Sequence, residues 1–327
     1  MTASSRTLEQ ILSVLKGAGG YVSGQELGRR LGVSRAAIWK LVEELRRRGY
    51  RIEARAKKGY LLRSFPEALD PLAVKESLRA EILGRRIHIA KEVDSTNSWA
   101  FREAMRGASE GEVFLAEAQR SGRGRMGREW FSPPGKNIYL SVVLKPELPP
   151  AKVPLLGLCA AVAIAETLQG LGLRPEIKWP NDVLLDRRKV SGILAEAHTE
   201  ADRVIFVILG MGLNVNMTEE DLPEGLRGIA TSVAIHLQRR FSRNALVGEL
   251  LGRLEALYLK LKEGRITEVL SRWEEYSPIK GREVAIEIFG NEIRGRVEGI
   301  DEDGALLLLT PQGPRRVVAG DLKVKGW

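Results

Sequence analysis

A glycine- and arginine-rich segment at residues 117–131, here called the lid, has the composition of a loop that closes on an anion. Glycine lets the backbone take positive φ and lets a ligand approach closely, whereas arginine offers a planar, permanently charged fork that matches carboxylate and phosphate oxygens. A solvated basic surface loop is the alternative interpretation. The lid contains Arg120, Gly122, Arg123, Gly124, Arg125, Gly127, Arg128 and, as a possible stacking surface, Trp130.

The glycine spacing of the lid also matches Gly-x-Gly-x-x-Gly, the fingerprint of a dinucleotide-binding loop. That motif needs a strand before the loop and a helix that opens on it. The apolar residues 113–116 predict the strand, but Pro133-Pro134-Gly135 follows the lid and prevents a helix from starting there. The sequence therefore argues against a Rossmann site.

Two polar clusters elsewhere would have to meet the lid for a site to form. Ser-Thr-Asn at 95–97 precedes a predicted helix at 99–105, and its side chains either cap that helix or hold a bound polar group. Trp-Pro-Asn-Asp at 179–182 interrupts an apolar strand, because its proline cannot occupy a central ladder. This break presents Lys178, Asn181 and Asp182 at one point.

The chain after this break adds a lysine and two asparagines. Lys189 stands at the start of a predicted strand, and a fully apolar strand at 204–209 is expected to end at the glycines before Asn214 and Asn216. Residues 217–229, rich in acidic residues, proline and glycine, predict a mobile flap. Each cluster alone is compatible with a turn whose polar groups are hydrogen-bonded within the protein. Together the clusters favour one site for a phosphorylated ligand.

Charge is concentrated at the amino terminus. Residues 1–64 carry 14 basic and 5 acidic residues, a net charge of +9, which equals the net charge of the whole 327-residue chain. The remaining residues are balanced, so a polyanionic partner is expected for the first segment only. A small basic domain that binds protein is the alternative.

The first segment has the pattern of a winged helix-turn-helix. Apolar residues at helical spacing predict three short helices, and residues 31–34 form the turn before the third. An alternating pair of strands at 51–62 predicts a hairpin wing with lysines at its tip. We expect DNA contacts from the recognition helix and wing through Ser34, Arg35, Trp39, Lys40, Lys57 and Lys58.

The rest of the composition bounds the class of protein. The chain is long enough for two or three domains, and we find no apolar run approaching the ~18–20 residues that span a bilayer and no signal-like segment. We therefore expect a cytoplasmic protein without a membrane partner. Cys159, the single cysteine, fits a reducing compartment and is expected to be a small buried hydrophobe. The three histidines, His88, His198 and His236, form no ligand cluster, so no protein-held metal is predicted.

With these motifs together, the chain resembles the bifunctional biotin protein ligases that are also biotin operon repressors. Four blocks in order carry the resemblance, which covers essentially the whole length. They are Gly-Arg-Gly-Arg-Met-Gly-Arg at 122–128, Lys-Trp-Pro-Asn-Asp at 178–182, Lys-Val-Ser-Gly-Ile-Leu at 189–194 and Gly-Met-Gly-Leu-Asn-Val at 210–215.

The resemblance implies an α+β multidomain fold. Its parts are a winged helix-turn-helix at 1–64, a class II synthetase-like α/β ligase domain with a mixed sheet at 65–276, and a C-terminal SH3-like β-barrel at 277–327. The alternating short strands after residue 283 agree with the last of these.

The implied activity is formation of biotinoyl-5′-AMP from biotin and ATP with Mg²⁺, followed by transfer of biotin to a lysine of the biotin carboxyl carrier protein of acetyl-CoA carboxylase. The implied regulation is repression through operator DNA by a homodimer that forms with the adenylate. By the same similarity, biotin or its adenylate contacts Ser95, Thr96, Asn97, Gln119, Gly122, Arg123, Gly124, Arg125, Lys189 and Gly192. Trp130, Asn181 and Asn214 border the adenine, and the catalytic residues are Arg125, Lys189 and Asp182.

Two departures from the family and three rival functions follow from these comparisons of motifs. Met126 stands where some relatives carry another arginine, and a C-terminal arginine contact would fall on a lysine of residues 323–327. The rivals are a biotin-binding repressor without ligase activity, a ligase for another acid such as lipoate, and a ligase whose winged helix no longer binds DNA.

Overall fold

The computed structural model describes residues 3–288 and 290–324. Three short helices and a two-stranded hairpin form the first unit: α1 (Ala3–Ala18), α2 (Gly24–Leu31), α3 (Arg35–Arg47), β1 (Arg51–Arg55) and β2 (Gly59–Ser64). The winged helix-turn-helix prediction is confirmed.

Local capping explains why α2 and α3 begin where they do. The Ser23 hydroxyl accepts a hydrogen bond from the Glu26 N–H at 3.1 Å, and the Ser34 hydroxyl accepts one from the Ala37 N–H at 3.2 Å. Gly32 ends α2 in the left-handed conformation. The turn between the two helices is therefore encoded by residues that lie next to each other in the chain.

The segment between the first unit and the central sheet contains less helix than the sequence pattern predicts. Instead of a helix at 73–83, α4 covers only Pro71–Lys75, with Asp70 as its N-cap. The carboxylate of Glu255 accepts hydrogen bonds from three consecutive N–H groups, those of Glu81, Ile82 and Leu83. These long-range bonds hold the backbone out of the helical conformation.

The central unit is a seven-stranded mixed sheet in the order β3-β4-β5-β9-β8-β7-β6. Strands β3 and β4 are parallel, and the other neighbours are antiparallel. The strands are β3 (Ile87–Val93), β4 (Val113–Gln119), β5 (Ile138–Leu144), β6 (Pro175–Lys178), β7 (Asp182–Leu185), β8 (Arg188–Glu200) and β9 (Arg203–Leu213).

Helices cover both faces of this sheet. Helix α5 (Thr96–Met105) packs in a small aromatic cluster that includes Phe114 and Phe206. The other helices are α6 (Pro154–Gln169), α7 (Val233–Leu237), α8 (Arg243–Lys262) and α9 (Ile266–Tyr276). Of these, α6 and α8 pack together in the main core.

Two expectations about this unit are wrong. Residues 176–185 form an antiparallel hairpin, β6 and β7, rather than one interrupted strand, because the Trp-Pro-Asn turn reverses the chain. Strand β9 runs on to Leu213 instead of ending before Gly210, since strands β5 and β8 pair with it on both sides. Helix α9 was not predicted.

One described helical segment, Pro150–Gln169, is long and apolar enough to cross a membrane, which contradicts the expectation that no run approaches that length. In its most apolar window 72% of the helix is buried inside the protein. Its hydropathy is therefore explained by a place in the core.

The C-terminal unit is a five-stranded antiparallel sheet in the order β13-β12-β11-β10-β14. Its strands are β10 (Glu283–Ile288), β11 (Asn291–Ile300), β12 (Leu306–Thr310), β13 (Gly313–Val317) and β14 (Asp321–Val324). Its apolar side chains, such as Ile286 and Leu306, belong to the same core as the central unit. The Trp179 indole N–H also donates to the Gly304 carbonyl at 3.1 Å. The sheet is thus fixed against the turn between β6 and β7.

Candidate active site and DNA-binding surface

A cavity of about 330 Å³ opens where the lid, the start of α5, strands β8 and β9, the β6–β7 turn and strand β14 meet. Most predicted site residues line this single cavity. Those that do are Ser95, Thr96, Asn97, Gln119, Arg123, Gly124, Arg125, Trp130, Asn181, Asp182, Lys189 and Gly192.

The inner wall of the cavity is a chain of buried hydrogen bonds. The Gln119 side-chain oxygen accepts from the Thr96 N–H at 2.8 Å, and the Ser141 hydroxyl is 2.8 Å from the Thr96 hydroxyl and 2.6 Å from the Asn97 side-chain oxygen. Ser95 precedes α5 but makes no side-chain capping bond. The Ser-Thr-Asn cluster therefore serves the cavity wall rather than the helix end.

Glycines in β9 make room for this wall and for Trp130. A Cβ atom added to Gly210 would lie 2.0 Å from the Asn97 side-chain oxygen, and one added to Gly212 would lie 2.5 Å from the Trp130 indole. These distances are below any normal contact. The Gly-Met-Gly block therefore acts through close packing within a continuous strand.

Replacing Gly212 with alanine is expected to displace the Trp130 ring from the sheet and to weaken binding of biotin, the ligand that the sequence resemblance implies, by at least tenfold. The added methyl group cannot share the space that the indole occupies. Isothermal titration with biotin measures the effect, and Trp130 fluorescence reports the displacement. Gly225→Ala, where an added Cβ meets nothing within 4 Å, is the matched control.

Lys189 stands at the centre of the charged part of the site. Its ammonium nitrogen lies 2.7 Å from an Asp182 carboxylate oxygen and 5.3 Å from the centre of the Trp130 ring. The indole N–H of Trp130 is buried and has no hydrogen-bond partner among the described residues. A buried donor of this kind in a cavity suits a ligand acceptor.

The arginines of the lid reach three different parts of the fold. Arg123 contacts Glu196 of β8 at 2.9 Å, Arg125 contacts Asn181 at 3.4 Å, and Arg128 pairs with Asp321 of β14. Burial lowers the pKa of the Arg125 guanidinium, an effect that the Asp182 and Asp321 carboxylates oppose. Arg123, Arg125 and Arg128 thus line the cavity, whereas Arg120 lies outside it and is exposed beside Glu92.

Two predicted residues do not line the cavity. Asn214 is 4% exposed, and its side-chain amide is engaged by Thr231 and Asn137. Its place beside the adenine stays a prediction. Gly122 also lies outside the lining, and an added Cβ there would meet the Trp130 carbonyl at 2.4 Å, so its absent side chain allows the lid to fold back.

Sequence reasoning missed several residues of the site. Glu196, Ser132 and Ser141 hold predicted residues in place, and Asp321 lines the cavity. Their types are common and their local sequence gives no signal. Only the pairing of β8 with β9 and the docking of β14 bring them to the site. Of the two tail lysines at which a nucleotide contact was expected, Lys323 lines the cavity and Lys325 lies outside the described residues.

The segment at 217–229, predicted to be a mobile flap, is attached beside Lys189. The Lys189 N–H donates to the Ile229 carbonyl at 2.8 Å, and the Lys189 carbonyl accepts from the Thr231 N–H at 2.9 Å. Arg188 and Glu219 add an ion pair at 2.7 Å. Any rearrangement of this segment would act directly on the lysine at the centre of the site.

The predicted DNA-contacting residues of α3 and the wing are exposed to solvent. Arg35, Lys40, Lys57 and Lys58 are exposed, and Trp39 is 56% exposed. Ser34 differs from the others, because its hydroxyl is occupied as the N-cap of α3.

Cys159 and the acidic residues offer no second chemistry. Cys159 is fully buried, and burial raises the pKa of its thiol to about 12, which excludes an activated nucleophile. Across residues 3–288 and 290–324, no group of three or more histidine, cysteine, aspartate or glutamate side chains could hold a metal ion.

Family models match three parts of the chain. The model of the biotin/lipoate A/B protein ligase family matches residues 89–214, that of an HTH domain matches residues 7–61, and that of the biotin protein ligase C terminal domain matches residues 280–322. The bifunctional ligase/repressor BirA of Bacillus spizizenii is 36% identical over 93% of this chain and 94% of its own length. The chain belongs to the BirA family of bifunctional ligase/repressors.

Other relatives of this BirA family member agree. The bifunctional ligase/repressor BirA of Escherichia coli is 35% identical over 91% of each chain. The biotin–[acetyl-CoA-carboxylase] ligase of Mycobacterium tuberculosis is 32% identical over 78% of this chain and 97% of its own. Among solved structures, the biotin protein ligase of Aquifex aeolicus in complex with biotin and ATP superposes with a TM-score of 0.63 and 29% identity, covering 74% of this chain and 99% of that one.

Proposed function

We propose that the protein is an ATP-dependent biotin protein ligase that also represses transcription as a biotin-responsive DNA-binding protein. The main support for the ligase activity is the cavity itself. One of its walls consists of buried amide and hydroxyl side chains, and a cluster of cationic side chains lies beside that wall. Relatives named for both activities match nearly the whole chain, and a structural neighbour is described with biotin and ATP.

The first half-reaction joins two anions, so charge neutralisation and positioning are the main tasks of the site. The biotin carboxylate attacks the α-phosphorus of ATP, pyrophosphate leaves, and biotinoyl-5′-AMP forms. Arg123, Arg125 and Lys189 supply positive charge where carboxylate and phosphate oxygens approach each other. Trp130, with its face against the sheet glycines, offers an apolar surface to the ligand.

The second half-reaction transfers the biotinoyl group to an amine. A lysine amine of the carrier protein attacks the carbonyl of the mixed anhydride, AMP leaves, and an amide forms. The amine must lose a proton, and Asp182 remains our candidate for orienting or accepting it. Asp182 is paired with Lys189 at 2.7 Å, so this role requires the pair to separate when substrates bind.

Mg²⁺ is proposed to enter with the nucleotide. Asp182 is an oxygen donor in the cavity, but its carboxylate is already the counter-ion of Lys189. Because the described residues contain no cluster of three candidate ligands, phosphate oxygens and water suit the ion better than a protein cage. The ion would screen charge between the phosphates.

The ligase proposal is tested by incubating the protein with biotin, MgATP and a biotin carboxyl carrier domain, followed by mass measurement of the carrier. A mass increase of one biotinoyl group on one lysine is expected. Biotin binding without pyrophosphate release would identify a sensor rather than an enzyme. Pyrophosphate release is then measured with lipoate in place of biotin to learn which acid is the substrate. Faster release with lipoate would overturn the biotin assignment.

The repressor half rests on the exposed cations of α3 and the wing. We expect Arg35→Ala with Lys40→Ala to weaken operator binding by about tenfold or more and to reduce the salt slope of log K by about two. Fluorescence anisotropy with operator DNA at several salt concentrations measures both quantities. Arg253→Ala, on the ligase unit, is the control and leaves DNA binding unchanged.

Dimerisation and location complete the proposal. If the adenylate orders the lid and the 217–229 segment, the ordered surface completes a homodimer interface and two winged helices read a two-fold operator. Sedimentation with and without biotin plus ATP tests this, and unchanged association would contradict it.

We further propose domain limits of 1–64, 65–276 and 277–327, a cytoplasmic location and no membrane partner.

A further inference from the structure

Glu196 of β8 is a charged residue beside the site that the proposed mechanism does not use. The same oxygen of its carboxylate accepts two hydrogen bonds. The Asn97 side-chain amide donates one at 2.7 Å, and the Arg123 guanidinium donates the other at 2.9 Å. The side chain of Glu196 is 31% exposed and that of Arg123 is 44% exposed. One acceptor thus links the buried wall of the cavity to the lid.

Asn97 is a fixed point in this arrangement. It is 4% exposed, its amide also donates to the Leu194 carbonyl at 3.3 Å, and its oxygen is 2.6 Å from the Ser141 hydroxyl. The absence of a Cβ on Gly210 leaves the space that Asn97 fills. Because Asn97 is held on several sides, the Glu196 carboxylate that it contacts is oriented as well.

Arg123, in contrast, belongs to the lid. Its backbone forms an isolated antiparallel bridge with Glu129, so the two residues make the base of the lid hairpin that carries Arg125 and Met126 at its tip. Glu196 contacts only one terminal nitrogen of the guanidinium, while Arg123 itself lines the cavity. The contact therefore fixes the base of the lid and leaves the rest of the guanidinium free to face a ligand.

The other arginines of the lid make weaker contacts or lie farther from its base. Arg125 approaches Asn181 at 3.4 Å, near the limit of a hydrogen bond. Arg128 pairs with Asp321, but its side chain is 65% exposed, so solvent screens that pair. Glu92 of β3 also pairs with a lid arginine, Arg120, but at 3.6 Å and with both side chains more than half exposed, so Glu196 makes the closer tie between the lid and the central sheet.

We propose that Glu196 is a positioning residue that holds the base of the lid closed over the acyl-adenylate by fixing Arg123 against Asn97. This inference rests on the proposed ligase function. Glu196 touches no reacting atom in this arrangement and acts through Arg123. Its loss is expected to let the lid open more often, so that biotinoyl-5′-AMP escapes before transfer, while the chemical step itself proceeds normally.

The test uses Glu196→Gln in the full-length protein, because glutamine keeps the size of the side chain and an acceptor for Asn97 but removes the charge. Enzyme loaded from labelled biotin and MgATP is chased with unlabelled biotin, and retained biotinoyl-5′-AMP is followed by rapid filtration. We expect about tenfold faster loss, the value of one charge-assisted hydrogen bond, and a similar rise in KM for biotin. The single-turnover rate of pyrophosphate release, which reports the chemical step, should stay unchanged within about twofold. Glu200→Gln, exposed on the same strand, is the matched control.

A double-mutant cycle separates positioning from a structural effect. In an Arg123→Ala background, Glu196→Gln should cause no further acceleration of adenylate loss, whereas additive effects would overturn the proposal. If Glu196→Gln alone retained the adenylate for as long as the wild-type protein does, the proposal would also be overturned. Failure of the wild-type protein to form adenylate would instead refute the ligase proposal. If Glu196→Gln does not fold, Glu196→Asp, which keeps the charge but shortens its reach, is expected to lose adenylate faster in the same assay.

Discussion

Replacing Lys189 with glutamine is expected to lower the rate of biotinoyl-5′-AMP formation by a factor of about 10² to 10³, the range for loss of one preorganised group that stabilises developing charge. The ammonium group lies where two anions must approach, beside Asp182 at 2.7 Å and over the Trp130 ring. Without it, Asp182 becomes an uncompensated negative charge in the cavity and repels both substrates. Single-turnover pyrophosphate release at saturating biotin and MgATP measures the rate.

The control for this prediction is Lys91→Gln on β3, whose side chain is exposed. It removes the same charge from the same sheet and is expected to leave the rate unchanged. A double variant, Lys189→Gln with Asp182→Asn, should regain part of the substrate affinity, because the repelling carboxylate is gone. A Lys189→Gln enzyme with a normal single-turnover rate would show that this lysine has no part in the first step.

Replacing Arg243 with methionine is expected to cost about 3–5 kcal/mol in the unfolding transition of the ligase unit, the usual effect of removing one partner of a buried ion pair. Arg243 is 4% exposed and contacts the Glu117 carboxylate at 2.7 Å, the Asn137 carbonyl at 3.2 Å and the Glu67 carbonyl at 3.1 Å. Equilibrium unfolding in urea, followed by fluorescence, measures the loss.

The reason for so large an effect is that Glu117 would be left with half of its partners. Its other oxygen accepts from the Leu69 N–H at 2.7 Å, so the carboxylate joins β4, α8 and the connection to the DNA-binding unit. Arg240→Met is the matched control, since Arg240 is 65% exposed and 3.5 Å from Glu67, and we expect a change of less than about 1 kcal/mol. Equal effects of the two substitutions would contradict the buried pair as the cause.

Much of the DNA-binding unit was predictable from neighbouring residues. Ser23, Ser34 and Gly32 fix helix ends by bonds that span three or four positions, and such local chemistry is readable in one sequence. The helix predicted at 73–83 failed for the opposite reason. Glu255, far along the chain, takes the N–H groups of that segment, and local propensity cannot foresee such a competitor.

The sequence by itself determined which residues could form the site: the arginines and glycines of the lid, the Ser-Thr-Asn cluster, Lys189 and Asp182. It did so because their types and spacing carry chemistry that few other patterns share. Only the tertiary structure decided that Glu196 and Asp321 hold the lid, because these partners stand 73 and 193 residues from Arg123 and Arg128 in the chain. The tertiary structure likewise showed that the Asn214 side-chain amide donates to the Thr231 carbonyl. Contacts at such separations depend on the order of strands in the sheet, and no local pattern specifies that order.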